Sequence, residues 1–283
     1  FGPRLYGLQL AVTFAAALAS YIAVEQPIRQ HGLRVRRPVV VTSGVLTAAV
    51  ALVLVATRGG PRPEDRLTEE LRGLAPTDRR LLVLGDSTAN SIGWTIRGLR
   101  LGTVSVVLGG EDGLDLLSDG PAEEAWIKKL TEVNPAAAVV IVSGAFLYGL
   151  TADGAWRDAC YPAWDERFRS ALRARLAPLA TRSEPVWVAS VPHALGRYDN
   201  DEFRQRIACI NGSIRAVMAE LPTLRSLDLA ELQCPSGVCE RTCEGKTTRP
   251  DGVHYDIPGG RCLARRVVDR LGLGEAAPTT GDR

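Results

Sequence analysis

Residues 81–90 read LLVLGDSTAN, an apolar run that ends at a Gly-Asp-Ser triplet. The pattern predicts a short buried strand over 81–84, followed by a turn and a helix. Ser87 would lie where the strand gives way to the helix, with its hydroxyl exposed beside unpaired backbone N–H groups. Such groups can stabilise the negative oxygen of a tetrahedral intermediate. The triplet alone is a weak signal, because Asp86 or Ser87 could simply cap the helix.

A second motif lies far downstream, where residues 249–254 read RPDGVH. A serine hydroxyl is a poor nucleophile until a positioned base activates it. His254 would take the proton from Ser87, and Asp251 would accept a hydrogen bond from the other ring nitrogen and fix the tautomer. One loop can present both groups, since only two residues separate them. Together the two motifs predict an enzyme that transfers acyl groups or hydrolyses esters.

Predicted strands and helices alternate along the chain from residue 81 onward. The predicted strands are 81–84, 103–108, 136–142, 186–191 and 225–229, and the predicted helices are 91–101, 122–133, 164–180, 202–220 and 261–271. This alternation predicts an α/β domain with a central parallel sheet and helices on both faces. In such sheets the site lies at the carboxyl ends of the strands, where Ser87, Gly110 and residues 143–146 would meet.

Two long apolar stretches precede this domain. Residues 5–24 are nearly uncharged and residues 38–57 carry no charged side chain. Each is long enough to cross a bilayer as a helix. The loop between them is rich in arginine, which predicts that the loop is cytoplasmic and that the chain beyond the second stretch is outside the cell membrane. A signal peptide or a pair of buried soluble helices is the alternative.

These features divide the chain into four predicted parts. We predict two transmembrane helices within residues 1–57, a linker over 58–80, an extracytoplasmic α/β domain over 81–272 and a disordered tail over 273–283. The linker begins with RGGPRP, which breaks regular structure. The chain is thus expected to be a multi-pass membrane protein.

All six cysteines follow the second apolar stretch. An even number of cysteines in an extracytoplasmic domain favours disulfides. We predict that Cys160 pairs with Cys209 and that the last four cysteines pair among themselves. A zinc site in the cluster of Cys234, Cys239 and Cys243 is the alternative, although the cluster lacks the Cys-x-x-Cys spacing of most structural zinc sites.

The composition indicates neither a nucleic-acid partner nor a cofactor. Lys and Arg number 34 against 32 Asp and Glu, so the net charge is only +2. No basic patch with interleaved aromatic residues is present in the sequence, as nucleic-acid binding would favour. We expect no metal ion and no organic cofactor.

The Gly-Asp-Ser triplet and the Asp-x-x-His loop together resemble the SGNH/GDSL hydrolase family over roughly residues 81–271. The resemblance implies a flavodoxin-like three-layer α/β/α fold. It also implies a Ser-His-Asp site that acts on esters of small acyl groups, often on glycans. On this resemblance Ser87 is the nucleophile, His254 is the base and Asp251 is the partner of the base.

The oxyanion-binding part of the family pattern matches less well. The family's glycine after the second strand matches Gly110, with Gly109 as the alternative, and would act with the N–H of Ser87. The third family motif, Gly-x-Asn-Asp, is replaced here by residues 144–147, with Phe146 where the asparagine would donate to the oxyanion. Either backbone N–H groups and another donor such as Asn90 replace that asparagine, or the activity is low.

Residues 20–29, SYIAVEQPIR, are similar to the end of the membrane domain in the acyltransferase-three family. In many bacterial members that domain is followed by another span and a fused SGNH domain. The segment CPSGVC at 234–239 and the aromatic residue at 146 also resemble these fused proteins. The resemblance implies that this chain is the C-terminal portion of a longer protein. Its partners would be an acyl donor delivered by the membrane domain, a surface glycan that accepts the acyl group, and membrane lipid.

The sequence leaves the choice of acceptor open. Tyr148, Tyr255 and Phe146 are candidates for stacking on a sugar, and Arg249 could bind an acidic sugar or pair with a carboxylate. The resemblance to membrane-fused proteins makes O-acyl transfer to a cell-surface glycan the first prediction, with acetyl as the expected group. A carbohydrate esterase and a catalytically weak glycan-binding module are the alternatives.

Overall fold

The computed structural model describes residue 21 and residues 63–75, 78–102, 104–111, 116–117, 123–147, 149–152, 155–235 and 238–274. Apart from Tyr21, the two predicted spans lie outside the described residues. Within the described ranges, no helix combines the length and the apolar character needed to cross a bilayer. The chain divides into two compact units, residues 1–66 and 67–283, and the second unit carries the sheet and every candidate site residue.

The second unit is built on a five-stranded sheet in which every strand runs parallel to its neighbours. The described residues of the whole unit form these strands, of which five belong to the main sheet: β1 (Arg79–Gly85), β2 (Val104–Gly110), β3 (Ala137–Ile141), β4 (Leu150–Ala152), β5 (Ala155–Arg157), β6 (Val186–Ala189), β7 (Arg225–Leu227), β8 (Thr242–Cys243) and β9 (Lys246–Thr247). The main sheet has the order β2-β1-β3-β6-β7, and β4–β5 and β8–β9 form two separate hairpins. The order reverses between β1 and β3, which opens a crevice at their carboxyl ends.

The packing of β1 explains why residues 81–84 are all apolar. Leu82 and Leu84 pack into one apolar cluster, while Leu81 and Val83 pack into the other. Successive side chains of a strand point to opposite faces, so this strand is covered on both sides. A strand buried on both faces needs a continuous apolar run rather than alternation.

Helices cover both faces of the sheet and complete three layers. They are α1 (Pro63–Arg72), α2 (Ser87–Arg97), α3 (Glu123–Val133), α4 (Pro162–Ala180), α5 (Asp201–Glu220), α6 (Leu229–Gln233) and α7 (Arg261–Arg270). Side chains from α3, α4 and α5 fill the cluster on one face. Side chains from α2, α6 and α7 fill the cluster on the other face. The described residues therefore have the three-layer α/β/α architecture that the sequence predicts.

Several parts of the chain differ from the sequence prediction. Helix α1 lies inside the predicted linker, and Leu67 from this helix is buried in the core. Helix α2 begins at Ser87, four residues before the predicted start. In the predicted tail, Leu273 is buried against the second cluster, while residues 275–283 lie outside the described residues. The hairpin β4–β5 and helix α6 were not predicted.

The three disulfides confirm the predicted pairing. Cys160 is bonded to Cys209, as predicted. The last four cysteines pair among themselves as Cys234–Cys239 and Cys243–Cys262. The alternative of a zinc site is wrong for this structure, because its three proposed ligands belong to two disulfides and are not thiolates.

Candidate active site

Ser87 is the first residue of α2 and follows a tight exit from β1. Gly85, the last residue of β1, has φ = 132°, a value that side-chain-bearing residues rarely adopt. A Cβ atom at this position would lie 1.7 Å from the carbonyl oxygen of Ile141 on β3. Only glycine therefore permits the close approach of the two strands that places Ser87 at the crevice.

Asp86 fixes the helix start and connects it to β3. Its Oδ1 accepts hydrogen bonds from the N–H groups of Thr88 at 2.8 Å and Ala89 at 3.4 Å, and its Oδ2 accepts one from Gly144 at 2.6 Å. Burial raises the pKa of Asp86, and the hydrogen bonds from the three N–H groups oppose that rise. Asp86 thus performs the capping role, which leaves the hydroxyl of Ser87 free of that task.

The structure brings Ser87, His254 and Asp251 into one hydrogen-bonded chain. The Oγ atom of Ser87 lies 2.8 Å from Nε2 of His254. Nδ1 of His254 lies 2.7 Å from Oδ2 of Asp251. When Nδ1–H donates to the carboxylate, Nε2 is the unprotonated nitrogen and can accept the serine proton. The residues are 167 positions apart in sequence, so the contact depends on the whole fold.

The loop that carries the base is organised by the same carboxylate. Oδ1 of Asp251 accepts hydrogen bonds from the N–H groups of Val253 and His254, both at 2.8 Å. Partial burial acts to raise the pKa of Asp251, but the hydrogen bonds from the His254 ring and the two N–H groups outweigh it and lower the pKa. The carboxylate therefore stays ionised below the usual range of an aspartate, as its role towards the imidazole requires.

Ser91 is a positioning residue that sequence reasoning missed. Its Oγ accepts a hydrogen bond from the N–H of Tyr255 at 3.1 Å and donates to the carbonyl oxygen of Thr88 at 2.8 Å. The residue after His254 is thereby attached to α2, the helix that carries the nucleophile. The available signal was the spacing, since Ser91 lies one helical turn after Ser87 on the same face.

Gly110 and Asn90 lie together beside the nucleophile. A Cβ atom at Gly110 would lie 2.5 Å from Oδ1 of Asn90 and 3.0 Å from the carbonyl oxygen of Asp86. The end of β2 therefore approaches the first turn of α2 closely, and only a glycine fits there. Both residues lie near the start of α2, and their roles as oxyanion donors stay predictions.

Two aromatic side chains that were predicted to bind substrate are buried instead. Phe146 is 1% exposed and makes edge contacts with the rings of Tyr198 and Phe203. Tyr255 is 5% exposed and packs in the core cluster behind α2. The prediction that these rings contact a sugar is therefore wrong for this conformation. Tyr148, the remaining aromatic candidate, lies outside the described residues.

Arg249 is also directed into the protein. It is 3% exposed, donates a hydrogen bond to the carbonyl oxygen of His193, and has its guanidinium 5.1 Å from the ring centre of Tyr255. Burial lowers the pKa of Arg249. Its predicted contact with an acidic sugar is therefore not possible in this conformation.

A group of possible metal ligands is present among the described residues, at His193, Cys234 and Cys239. The two sulfurs form a disulfide with each other. A disulfide sulfur is not a thiolate, so this group does not have the donors of a zinc site.

Comparisons with known proteins show similarity in structure only, since no protein-family model and no curated protein sequence matches the chain. The periplasmic domain of a lipopolysaccharide acetyltransferase from Salmonella ser. Paratyphi A superposes with a TM-score of 0.50 and 10% identity, covering 76% of this chain and 92% of that one. This chain shares the fold of that domain.

Two hydrolases also match in structure. A lipase/acylhydrolase from Enterococcus faecalis matches with a TM-score of 0.45 and 19% identity, over 72% of this chain and 100% of that one. A GDSL-like lipase from Bacteroides thetaiotaomicron matches with a TM-score of 0.48 and 14% identity, over 73% and 96%.

Gly252 provides a test of how strictly the base must be placed. Its φ is 87°, and a Cβ atom there would lie 2.2 Å from the carbonyl oxygen of Leu195. We expect Gly252→Ala to displace the Asp251 loop and to lower kcat/KM for an activated ester by about 10²-fold. Gly245→Ala is the matched control, because Gly245 also has a positive φ but a Cβ there meets nothing within 4 Å. The positive φ should cost each variant about 1–2 kcal/mol of stability, and the clash with Leu195 adds to the cost for Gly252→Ala alone. Equal activities would contradict the positional argument.

The Cys243–Cys262 disulfide encloses the loop that carries both Asp251 and His254. Replacing both cysteines by alanine should lower the free energy of unfolding by about 3 kcal/mol, from the chain entropy of the loop it closes. It should also lower the activity of the folded protein, because the loop loses its constraint. The measurements are denaturant unfolding and ester hydrolysis under conditions where the variant stays folded.

Replacement of Cys160 and Cys209 is the control for this disulfide. The control bridge closes a longer loop, with a sequence separation of 49, and should cost about 4 kcal/mol. It does not enclose the candidate site, so the folded control should keep its activity. A control that loses as much activity as the first variant would contradict a positioning role for Cys243–Cys262.

Proposed function

We propose that this chain is a serine-dependent O-acyltransferase that forms an acyl-enzyme on Ser87. The observation that carries the proposal is the continuous hydrogen-bonded chain from Ser87 through His254 to Asp251, with heavy-atom distances of 2.8 and 2.7 Å. These distances are within the reach needed for proton transfer between nucleophile and base. A serine with a positioned and oriented imidazole has few uses other than attack on an acyl carbonyl.

The first half-reaction follows from the positions of these groups. Oγ of Ser87 attacks the carbonyl carbon of an acyl donor while its proton passes to Nε2 of His254. Backbone N–H groups at the start of α2 and at Gly110, with Asn90 as a further donor, are the proposed stabilisers of the oxyanion. Collapse of the tetrahedral intermediate breaks the bond to the leaving oxygen, which takes the proton from His254. Ser87 is then an ester and the imidazole is neutral again.

The second half-reaction depends on the acceptor. A sugar hydroxyl gives its proton to His254 and attacks the acyl carbonyl. The bond to Oγ of Ser87 then breaks, and Oγ takes the proton from His254, which releases the acylated sugar and restores the free serine. We propose a cell-surface glycan as the acceptor and an acetyl-sized group as the acyl chain, delivered by a membrane domain. Support comes from the apolar stretches that predict membrane spans and from the likeness in fold to an acetyltransferase domain.

Hydrolysis is a second candidate because the site is open. The side chains of His254 and Asp251 are 42% and 53% exposed, so water can reach the acyl-enzyme from the same side as a sugar. An esterase that removes acetyl groups from a glycan would use the same residues, with water in place of the acceptor. What decides between them is whether a bound sugar excludes water from Ser87.

The test is to trap the acyl-enzyme and then to offer acceptors. The protein is incubated with an activated acetyl ester, digested and analysed by mass spectrometry. We expect an acetyl adduct on the peptide that contains Ser87, and none when His254 is replaced by alanine. Failure to acylate Ser87 with a range of short activated esters would overturn the proposed nucleophile.

The acceptor is identified in a second step. Acetylated protein is mixed with de-acetylated surface polysaccharides, and acetate release is compared with acetyl incorporation into the polysaccharide. A transferase should incorporate acetyl groups in preference to releasing them, despite the excess of water. Release that is unchanged by any polysaccharide would instead assign the chain to the esterases.

A further inference from the structure

A groove of about 710 Å³ lies at the opposite end of α2 from Ser87. It is lined by residues 98–101, which follow α2, and by Ile257, Arg261 and Arg265. Helix α2 has 11 residues, and at 1.5 Å per residue it holds the groove roughly 16 Å from the nucleophile. The groove is therefore separate from the candidate active site, and no step proposed above uses it.

Arginine dominates the charge of this groove. Arg265 pairs with Glu244 at 2.8 Å. Among the described residues, Arg100 and Arg261 form no ion pair and no side-chain hydrogen bond. The Nε atom of Arg261 is buried without a hydrogen-bond partner. Glu244 is the acidic group that feels both Arg265 and Arg261. Three guanidinium groups beside this one carboxylate leave the groove positively charged, which favours an anionic ligand.

Two exposed apolar side chains lie at this end of α2: Ile257 lines the groove, and Trp94 precedes the lining residue Gly98 by one helical turn. Trp94 and Ile257 are 47% and 43% exposed, and both are among the large apolar residues that the described surface leaves open to solvent. A Cβ atom at Gly98 would lie 3.0 Å from the side chain of Ile257, which places Ile257 against the end of α2. Trp94 lies one turn earlier, with the guanidinium of Arg97 4.6 Å from its ring centre. Tryptophan beside arginine is typical of a surface that meets lipid head groups.

We propose that this groove, with Trp94 and Ile257 at its edge, docks the domain on an anionic membrane surface and binds the phosphate of a lipid head group. Arg100 and Arg261 supply the charge, and Trp94 and Ile257 enter the head-group region. The occupant is an anionic phospholipid rather than dissolved phosphate, because a dissolved ion would give no reason for the exposed apolar pair. Docking would hold Ser87 at a fixed height, roughly the length of α2 above the bilayer.

The test uses fluorescence quenching in the full-length chain. The protein is reconstituted in nanodiscs of phosphatidylcholine, with or without phosphatidylglycerol, containing lipids brominated near the head group. We expect tryptophan quenching to be roughly twofold greater or more in the anionic discs. Raising the salt from about 0.05 M to about 0.5 M should remove the difference, because salt screens exposed charges. Trp94→Phe should remove the quenched component and so identify the reporter.

A charge-matched pair of variants decides the proposal. Arg100→Gln with Arg261→Gln should reduce quenching in anionic discs to the level in neutral discs. Arg204→Gln with Arg215→Gln, two exposed positions on α5 across the sheet, should leave it unchanged. Equal quenching in both types of disc, or no effect of the first pair, would overturn the proposal. Ser87-dependent hydrolysis of a soluble ester should be the same in all variants, so this result is independent of the proposed function.

Discussion

Ser87→Ala is expected to lower the hydrolysis of an activated ester by roughly 10³-fold or more, and by up to about 10⁶-fold, because the acyl-enzyme can no longer form. The substitution removes only the hydroxyl group of the Ser87 side chain. Neither the helix cap nor the β1–β3 contact uses it, since Asp86 supplies both. The fold should therefore survive, and the activity loss should appear in kcat rather than in the melting temperature.

The measurement is the rate of ester hydrolysis at saturating substrate, with circular dichroism to check the fold. Ser226→Ala is a suitable control, because Ser226 is an exposed serine on β7 at the far edge of the sheet. The control should retain full activity. If both variants hydrolyse the ester at the same rate, the reaction does not proceed through Ser87 and the enzyme proposal fails.

The features that the sequence predicts well are those that local patterns determine. A short apolar run such as 81–84, followed by a glycine turn, favours a strand covered on both faces. Its alternation with helical segments along the chain indicates a parallel sheet. The base and its partner share one short loop, so their relation to each other is also local. The distant contact between Ser87 and His254 could be inferred because the carboxyl ends of parallel strands collect at one edge.

The features that the sequence predicts poorly depend on contacts between distant elements. Phe146 follows β3 in a position that a substrate could reach, but Tyr198 and Phe203, more than fifty residues later, enclose its ring. The burial of Arg249 likewise depends on the carbonyl group of His193 from another loop. No pattern within a window of ten or twenty residues contains this information.

Helix α1 was missed for a different reason. Its first residue is Pro63, and the RGGPRP segment that ends there predicts a break in regular structure. Proline is well tolerated at the first position of a helix, because that N–H has no partner within the helix anyway. Leu67 anchors the helix to the core.

Asp251→Asn is the second variant for which we expect a large effect, a loss of about 10⁴-fold in kcat. The two oxygens of Asp251 have separate tasks: Oδ1 accepts from the backbone N–H groups of Val253 and His254, and Oδ2 accepts from the His254 ring. Asparagine can keep the first task with its single oxygen, so the loop should hold its shape. Its NH₂ group then faces Nδ1 of His254 as a donor. That arrangement favours the tautomer with the proton on Nε2, which cannot accept the proton of Ser87.

Acid titration separates this tautomer effect from a simple loss of folding. The pKa of Asp251 is lowered in the folded state, so the ionised carboxylate adds stability above its unfolded pKa of about 3.9, and this contribution is lost as the pH falls through the folded value. Asparagine has no such contribution. The difference in unfolding free energy between wild type and Asp251→Asn should therefore be constant near neutral pH and shrink below about pH 4, whereas the activity loss persists at neutral pH where both proteins are folded. A variant that regains activity whenever it is folded would show that Asp251 supports the loop only, and that His254 needs no partner to act as a base.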